Sequence, residues 1–310
     1  MSDPKDPQAL FTGFRPRFQQ FARERLYLTG VSPATLKQYY WTFTHYHAHV
    51  PDAPELPTKS ALQTWVVAGQ QSGLACATLN SLIITMNAYT QWLVTEGYLP
   101  QRHRLAKVKG FVPRVRPLSE GEVRALVVYT PPSWRKARVA LAALTVLDTG
   151  LRQAELLGLR WHDVNEAALQ LLVKGKGRKE RMVPMSTALR KRLLVWRRVC
   201  TQHYGEEAGA PEGWVFPGEG TGLQWCSDSS RRSVGLLWKG VVGKKYGWHI
   251  LRHTFATTYL QQGGDITRLS AILGHTAVTT TQRYVHLAGN DLALHTERVS
   301  PLQRFHQGRR

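Results

Sequence analysis

Between His249 and Tyr284 the chain sets apolar residues at helical spacing between glycine stops, a pattern that admits little besides three short helices in a row. Ile250, Leu251, Phe255, Ala256 and Leu260 recur at the three-to-four-residue period of one helix face. Gly263-Gly264 ends that helix, and Asp265 is a good N-cap for the next, Ile266 to Leu273. Gly274 stops the second helix, and Thr276 or Thr279 starts a third that presents Tyr284. Into this frame fall an arginine that cannot lose its charge, three histidines and a tyrosine. His249, Arg252 and His253 sit around the first turn, His275 follows the second stop, and Tyr284 rides the third helix. This is the material of a phosphate clamp beside a nucleophile. Plainer readings stand next to it. Residues 269–284 also fit the turn and second helix of a helix-turn-helix, and a single tyrosine is most often a core residue. His249 and His253 lie four apart like two metal ligands, but the zinc-protease pattern needs Glu after the first His and Ile250 stands there. No metal site is expected.

The 310 residues suffice for two domains with full cores. No apolar run reaches membrane-spanning length, and Met1-Ser-Asp-Pro-Lys lacks a signal-peptide pattern. Cys76, Cys200 and Cys226 are scattered and odd in number, which fits a reducing compartment without disulfides. Lys and Arg outnumber Asp and Glu by 41 to 21, a net +20. Residues 1–113 hold 11 basic and 6 acidic residues, and 114–310 hold 30 and 15, so the halves carry +5 and +15. Two basic halves suit a polyanion gripped from two sides, with nucleic acid the natural candidate. An anionic membrane is weaker, because no basic amphipathic helix stands out.

In chain order, residues 7–28 read as an amphipathic helix with Phe11, Phe14, Phe18, Phe21 and Leu28 near one face. Ser32-Pro33 is an N-cap and first-turn pair for a helix to about His49. Thr58 caps a third helix with Trp65 facing in, and Leu74 to Glu96 makes a fourth. Four helices without a strand describe a small all-α domain. Tyr39, Tyr40, Trp41 and Phe43 are expected in its core, with a groove-facing position the alternative, and His45, His47 and His49 in solvent or near phosphate. Residues 101–117 have two prolines and five cations from Arg104 on (Lys107, Lys109, Arg114 and Arg116 are the others), and read as an extended linker tracking DNA. Ser119-Glu-Gly-Glu122 opens a helix as a capping box, and a buried Ala/Leu/Val helix covers 138–147. Gly150 ends it, and a short helix begins near Arg152 with Glu155 three residues on, placed to hold the guanidinium. Residues 169–173 and 181–185 are β-like, joined by Lys174-Gly175-Lys176-Gly177-Arg178-Lys179, a cationic turn without the ending of a nucleotide-binding P-loop. A helix over 186–199, an irregular glycine-rich loop over 205–224 and a helix over 231–239 lead into the opening stretch. The expected class is mainly α with a small β-hairpin or sheet.

Two separated arginines, a turn lysine, histidines and a tyrosine together describe phosphodiester chemistry without a metal. In-line attack loads negative charge on the non-bridging oxygens, which always-charged, bidentate arginines are suited to bind. Tyrosine as nucleophile keeps the bond energy in a covalent link. At pH 7 a phenol of pKa about 10 is only about 0.1% ionised, a deficit of roughly 4 kcal/mol that nearby cations offset. The leaving 5′-oxygen needs a proton from a lysine or histidine.

Here the sequence resembles the tyrosine recombinase, or phage-integrase, family. Thr149-Gly150-Leu151-Arg152-Gln153-Ala154-Glu155-Leu156 resembles the family's first arginine box. Gly175-Lys176-Gly177-Arg178-Lys179-Glu180-Arg181 through Pro184 resembles its β-hairpin lysine segment. His249-Ile-Leu-Arg252-His253, Leu273-Gly274-His275 and Tyr284 resemble its second box. The resemblance is strong over 119–290, with the order and spacing of bacterial Xer-type enzymes, and rests on helical organisation alone over 7–100. It implies a core-binding DNA domain with its linker over 1–113, and a catalytic domain with a C-terminal tail over 114–310. It implies that Tyr284 forms a 3′-phosphotyrosyl link, that Arg152 and Arg252 clamp the phosphate, and that His275 adds a hydrogen bond. His249 would assist proton transfer, Lys176 would protonate the 5′-oxygen, and Glu155 would orient the first arginine. Lys107, Lys109, Arg114, Arg116, Lys174, Arg178 and Lys179 would contact DNA, and His253 would be structural. No cofactor is implied. Partners would be a specific duplex DNA site and further protomers, a tetramer in the synapse, alone or with a partner recombinase. The setting would be cytoplasmic and nucleoid-associated, bacterial or of a phage or mobile element. The stretch after Tyr284, with its Ser-Pro-Leu ending, departs from the Xer-type pattern toward integrases of mobile elements. A nicking-closing enzyme like the type IB topoisomerases and a non-catalytic helix-turn-helix regulator remain as alternatives.

Overall fold

The computed structural model describes residues 13–50, 52–110, 116–175, 179–219, 222–275 and 277–288, with backbone alone at 283 and 286–288. The chain divides into two compact units, residues 1–114 and 115–310. Lys176, Arg178, Arg114, Phe11 and everything after 288 lie outside the described residues.

In the first unit, α1 (Pro16–Tyr27), α2 (Pro33–His49), α3 (Lys59–Gln71) and α4 (Cys76–Thr95) pack around an aromatic core. The first helix is shorter than its amphipathic pattern. Proline at the first helical position disfavours helical geometry in the residue before it, and Arg15 is extended (φ −63°, ψ 150°). Leu28 follows the last turn and is 78% exposed, outside the apolar face expected to include it. Ser32 and Thr58 cap their helices by accepting from the N–H groups of Thr35 and Ala61. Phe18, Phe21, Phe43, Tyr46, Trp65 and Tyr89 are fully buried. Burying such a side chain contributes about 1.5–3 kcal/mol. Their polar ends are satisfied locally, as where Tyr89 donates to the Glu55 carbonyl at 2.8 Å. Tyr39 joins this core, Tyr40 is half-buried, and Trp41 is 63% exposed, against the expectation that all four α2 aromatics face inward. The three histidines are half-buried, and two of them are tied to neighbours. His45 and His49 stack at 4.0 Å, and Trp65 Nε1 donates to His45 Nδ1 at 2.7 Å. Residues i and i+4 share a helix face, so alternation in sequence became stacking in space.

In the second unit, α5 (Glu120–Val128) leads to the central α6 (Trp134–Thr149), whose Ala140, Ala142 and Ala143 let neighbours approach closely. The chain continues through α7 (Gln153–Leu157), a single 3₁₀ turn at 161–163, and strands β1 (Val164–Asn165), β2 (Gln170–Lys174) and β3 (Glu180–Pro184). The strands form one antiparallel sheet in the order β1-β2-β3, with Leu171 opposite Val183 and Val173 opposite Arg181. Leu171, Val173 and Val183 face the core. Then come α8 (Thr187–Tyr204), α9 (Glu206–Gly209), α10 (Ser227–Val242), α11 (Trp248–Gln261), α12 (Ile266–Leu273) and α13 (Thr279–Ala288). Helices α8, α10 and α11 pack on α6. The segment read as irregular over 205–224 carries α9 and two β-bridges, Arg160 with Trp214 and Pro217 with Gln224. Buried Arg138 anchors it by donating to the carbonyls of Pro217 and Gly218. Among the described residues no helix is long and apolar enough to cross a membrane.

The capping box at Ser119 has a second use. Glu122 accepts from Lys244 Nζ and Tyr246 Oη, each at 2.8 Å, and from the Ser119 N–H. The Lys244 ammonium foremost, then the Ser119 amide, lower its carboxyl from 4.5 to about 2. A depressed carboxylate stabilises the fold at pH above its unfolded value, and that contribution fades as pH falls from about 4.5 to about 2. Glu122→Gln should therefore melt earlier than wild type at pH 7 and together with it near pH 2. Equal melting at pH 7 would show that the contact contributes nothing.

Candidate active site

Three junctions meet in the second unit: the turn from α6 to α7, the turn after α12, and β3. Gly150 ends α6 in the left-handed conformation (φ +68°), and a Cβ there would meet Phe255 at 2.4 Å and Leu273 at 2.8 Å. Gly274 ends α12 likewise (φ +62°), and a Cβ there would meet the Arg181 guanidinium at 2.9 Å. The carbonyls of these two glycines receive the arginines of the opposite box. Arg252 Nη1 donates to Gly150 at 2.6 Å, and Arg152 Nη2 donates to Gly274 at 3.1 Å. The two segments, 102 and 122 residues apart across these bonds, are cross-braced.

Arg252, the fifth residue of α11, is 5% exposed. It also donates to the Leu273 carbonyl at 2.7 Å and lies 3.0 Å from His275 Nε2. Burial first, then the nearby Arg152 charge, push its guanidinium down to about 10, so it stays charged at neutral pH. An arginine only donates, so His275 Nε2 accepts, and Nδ1 carries the proton toward Thr281 Oγ1 at 2.8 Å. Thr281, fully buried on α13, thereby sets the tautomer.

Arg152 is the N-cap residue of α7 and remains 40% exposed. Its Nη1 donates to Glu155 Oε1 and its amide to Oε2, each at 2.8 Å. Arg181 of β3 grips the same carboxylate with a fork, Nη1 to Oε1 at 2.8 Å and Nη2 to Oε2 at 2.9 Å, while its Nε donates to the Ile272 carbonyl at 2.7 Å. Burial works against the Glu155 charge, but the Arg181 fork, the Arg152 amide and the Arg152 side chain outweigh it and hold the carboxyl below its usual range. One guanidinium thus ties the hairpin to both arginine boxes. In the sequence Arg181 stands out only as part of a strand, with no role assigned to it.

Arg181→Ala is expected to leave Glu155 with Arg152 alone. Breaking a buried ion pair from one side destabilises by about 3–5 kcal/mol. Displacing site groups by about 1 Å slows chemistry by about 10²-fold. Arg181→Lys keeps the charge without the fork and should fall between. Thermal melting and single-turnover cleavage check both, and wild-type cleavage by the alanine variant would remove Arg181 from the positioning of the site.

Tyr284 is 3% exposed and packs on Ala256, Leu269 and Leu273, its ring 5.3 Å from that of His253. His253 is half-buried. His249, one turn before Arg252, is exposed and lines a cleft of about 510 Å³ with Arg116, Gln153, Arg231, Lys245 and Tyr246. Lys174 ends β2 and approaches Asp163 Oδ1 at 3.5 Å, and Lys179 is exposed just before β3. Across the hairpin root, the Gly175 N–H donates to the Lys179 carbonyl at 2.8 Å. The structure thus gathers Arg152, Glu155, Arg252 and His275. Tyr284 is buried close by, and His249 stands at the rim. Lys107 and Lys109 are exposed in the first unit.

A half-exposed arginine and a buried one are thus cross-braced beside a buried tyrosine in a helical domain with a small sheet. The phage integrase family model matches residues 116–290, and the chain belongs to that family. The tyrosine recombinase XerC of Corynebacterium efficiens is 28% identical over 296 residues, which cover 94% of this chain and 91% of that protein. XerC of Xanthomonas axonopodis pv. citri is 30% identical over 241 residues, 75% and 74% of the two chains. Among solved structures, the XerH site-specific recombinase bound to its palindromic difH substrate matches with a TM-score of 0.70 at 18% identity, covering 93% of this chain and 86% of that one. A lambda integrase dimer bound to a core site matches with a TM-score of 0.68 at 19% identity, covering 89% and 77%. At these identities the two structures carry the fold.

Proposed function

We propose that Tyr284 attacks a phosphodiester of duplex DNA at a specific site, forming a 3′-phosphotyrosyl bond and releasing a 5′-hydroxyl that later attacks the same phosphorus to rejoin the strand. Arg152 and Arg252 bind the non-bridging oxygens, where charge accumulates in the transition state. Lys176 protonates the departing 5′-oxygen, His249 assists proton transfer at Tyr284, and Glu155 orients Arg152. The observation that carries this reading is the cross-brace of Arg152 and Arg252 through the Gly274 and Gly150 carbonyls. It holds two permanent charges near one another, with Arg252 at a depth where its charge is worth more than in water and Arg152 open to solvent. His275 Nε2 accepts from Arg252, so a phosphate contact from it needs a proton there. That follows if the Thr281 hydroxyl turns to donate to Nδ1. At 3% exposure Tyr284 reaches a phosphate only if α13 shifts from its packing on α11 and α12.

The first unit with its basic linker contributes a second DNA-binding face. Exchange between two duplexes needs four cleavages, so four protomers assemble on DNA, alone or with a partner recombinase. The lambda integrase dimer on its core site supports a pair of protomers on each site. The reaction takes place in the cytoplasm, at the nucleoid. The test uses two differently labelled duplexes that carry a candidate site. Covalent trapping with exchange of label is the expected result. Relaxation of supercoiled DNA without exchange would point to nicking and closing alone, and binding without an adduct to a regulator.

A further inference from the structure

The segment after the fourth helix has no regular secondary structure over 103–110, yet two side chains of α4 hold it by its backbone. Asn87 Oδ1 accepts from the Leu105 N–H at 2.8 Å, and its Nδ2 donates to the Leu105 carbonyl at 2.9 Å. Asn80 treats Val108 the same way, at 2.8 and 3.0 Å. Each carboxamide does the work of a neighbouring β-strand, donating and accepting at one residue. The spacing accounts for the extended conformation. Seven helical residues from Asn80 to Asn87 rise about 10.5 Å. Three extended residues from Leu105 to Val108 span about 10 Å. The segment therefore runs antiparallel to α4 in a single register, and a slip of one residue breaks all four bonds.

A plain surface linker has no need of register, because water satisfies its backbone. What the register fixes here is which side chains face out. Leu105 and Val108 turn onto the core of the first unit, while Arg102, Arg104, Lys107 and Lys109 are exposed. Three of these cations line a cleft of about 610 Å³ between the segment and α4. No acidic residue occurs from Gly97 to Ser119, and among the described residues none of the four cations is in an ion pair. Like charges held in a row without counter-charges repel one another, an arrangement that a bound polyanion relieves.

We infer that Asn80 and Asn87 are positioning residues for DNA binding, holding residues 102–109 as a rail for consecutive backbone phosphates. The inference rests on the recombinase reading above. The rail binds phosphate without regard to sequence, so its contribution appears in affinity and salt dependence.

The test measures amide hydrogen exchange in the free full-length protein and affinity for a mixed-sequence duplex across a salt series. In Asn80→Ala/Asn87→Ala, exchange at Leu105 and Val108 should become fast while the melting of the first unit changes little. The slope of log affinity against log salt should flatten by about 0.9 for each phosphate no longer neutralised. Lys107→Ala/Lys109→Ala, which leaves the clamps in place, should flatten it comparably. The quadruple variant should show less than the sum of the two effects, because the lysines act only when held. Fast exchange with an unchanged slope would overturn the inference, as would fully additive effects or a wild-type slope in the lysine variant, which remains decisive if the asparagine variant fails to fold. Failure of the wild-type protein to bind duplex DNA would instead overturn the recombinase reading, and the exchange data would still report whether the clamps exist.

Discussion

Tyr284→Phe should abolish the covalent protein–DNA adduct completely while leaving the fold and DNA affinity as they are. The structure separates chemistry from packing at this position. The ring lies in the apolar cluster of Ala256, Leu269 and Leu273, which phenylalanine fills equally well. Among the described residues the hydroxyl has no hydrogen-bond partner, so its removal leaves none of their polar groups unsatisfied. Melting within about 0.5 kcal/mol of wild type is expected on that ground. A nicked suicide substrate, denaturing electrophoresis and mass spectrometry of the adduct make the check. A denaturation-resistant adduct in Tyr284→Phe, mapped to another residue, would falsify the assignment of the nucleophile.

The site was legible in the sequence to the extent that its parts are local. Glycine stops, N-caps and the box residues marked where helices begin and end, and the candidate residues sit at those ends. What could not be read is the bonding across long separations. That Gly150 serves Arg252 and Gly274 serves Arg152 follows from how α6, α11 and α12 pack, and no spacing encodes it. Arg181 looked like one more cation of a basic hairpin. Its fork on Glu155 depends on the strand facing α7, a matter of sheet placement rather than of pattern. Thr281 had no signal at all. The clamps of Asn80 and Asn87 were invisible for a related reason, since an asparagine within a helix announces nothing until its partner segment is known. Where the expectation failed, proximity in sequence stood in for a face. Leu28 falls just past the end of its helix, and Trp41 lies between two core aromatics on a helix whose inner face is narrower than the run.

The hairpin lysines should separate by a single atom of the substrate. Lys174, Lys176 and Lys179 are equal in charge, and the described roots of the turn distinguish two of them from the third. Lys174 has Asp163 within 3.5 Å, which occupies its ammonium, and Lys179 precedes β3 with its carbonyl bound to Gly175. An ideal Cβ on Gly175 would lie 3.9 Å from Glu155 Oε1 and 3.8 Å from Arg181 Nη1, so the described root of the turn lies beside the Glu155–Arg181 pair. A general acid contributes typically about 10²–10⁴-fold. Lys176→Ala should lose cleavage of ordinary DNA to that degree, whereas removing one phosphate-binding cation costs far less. A 5′-bridging sulfur makes a leaving group that departs without a proton, because a thiol is far more acidic than an alcohol. With that substrate Lys176→Ala should cleave nearly as fast as wild type, and Lys174→Ala and Lys179→Ala should show no selective gain. Arg152→Ala should stay slow on both substrates, since its charge stabilises oxygens that the sulfur does not replace. Arg181→Ala should recover only in part, because it loosens the hairpin and the Glu155–Arg152 pair together. Selective rescue of Lys179→Ala or His249→Ala in place of Lys176→Ala would move the proton donor to that residue.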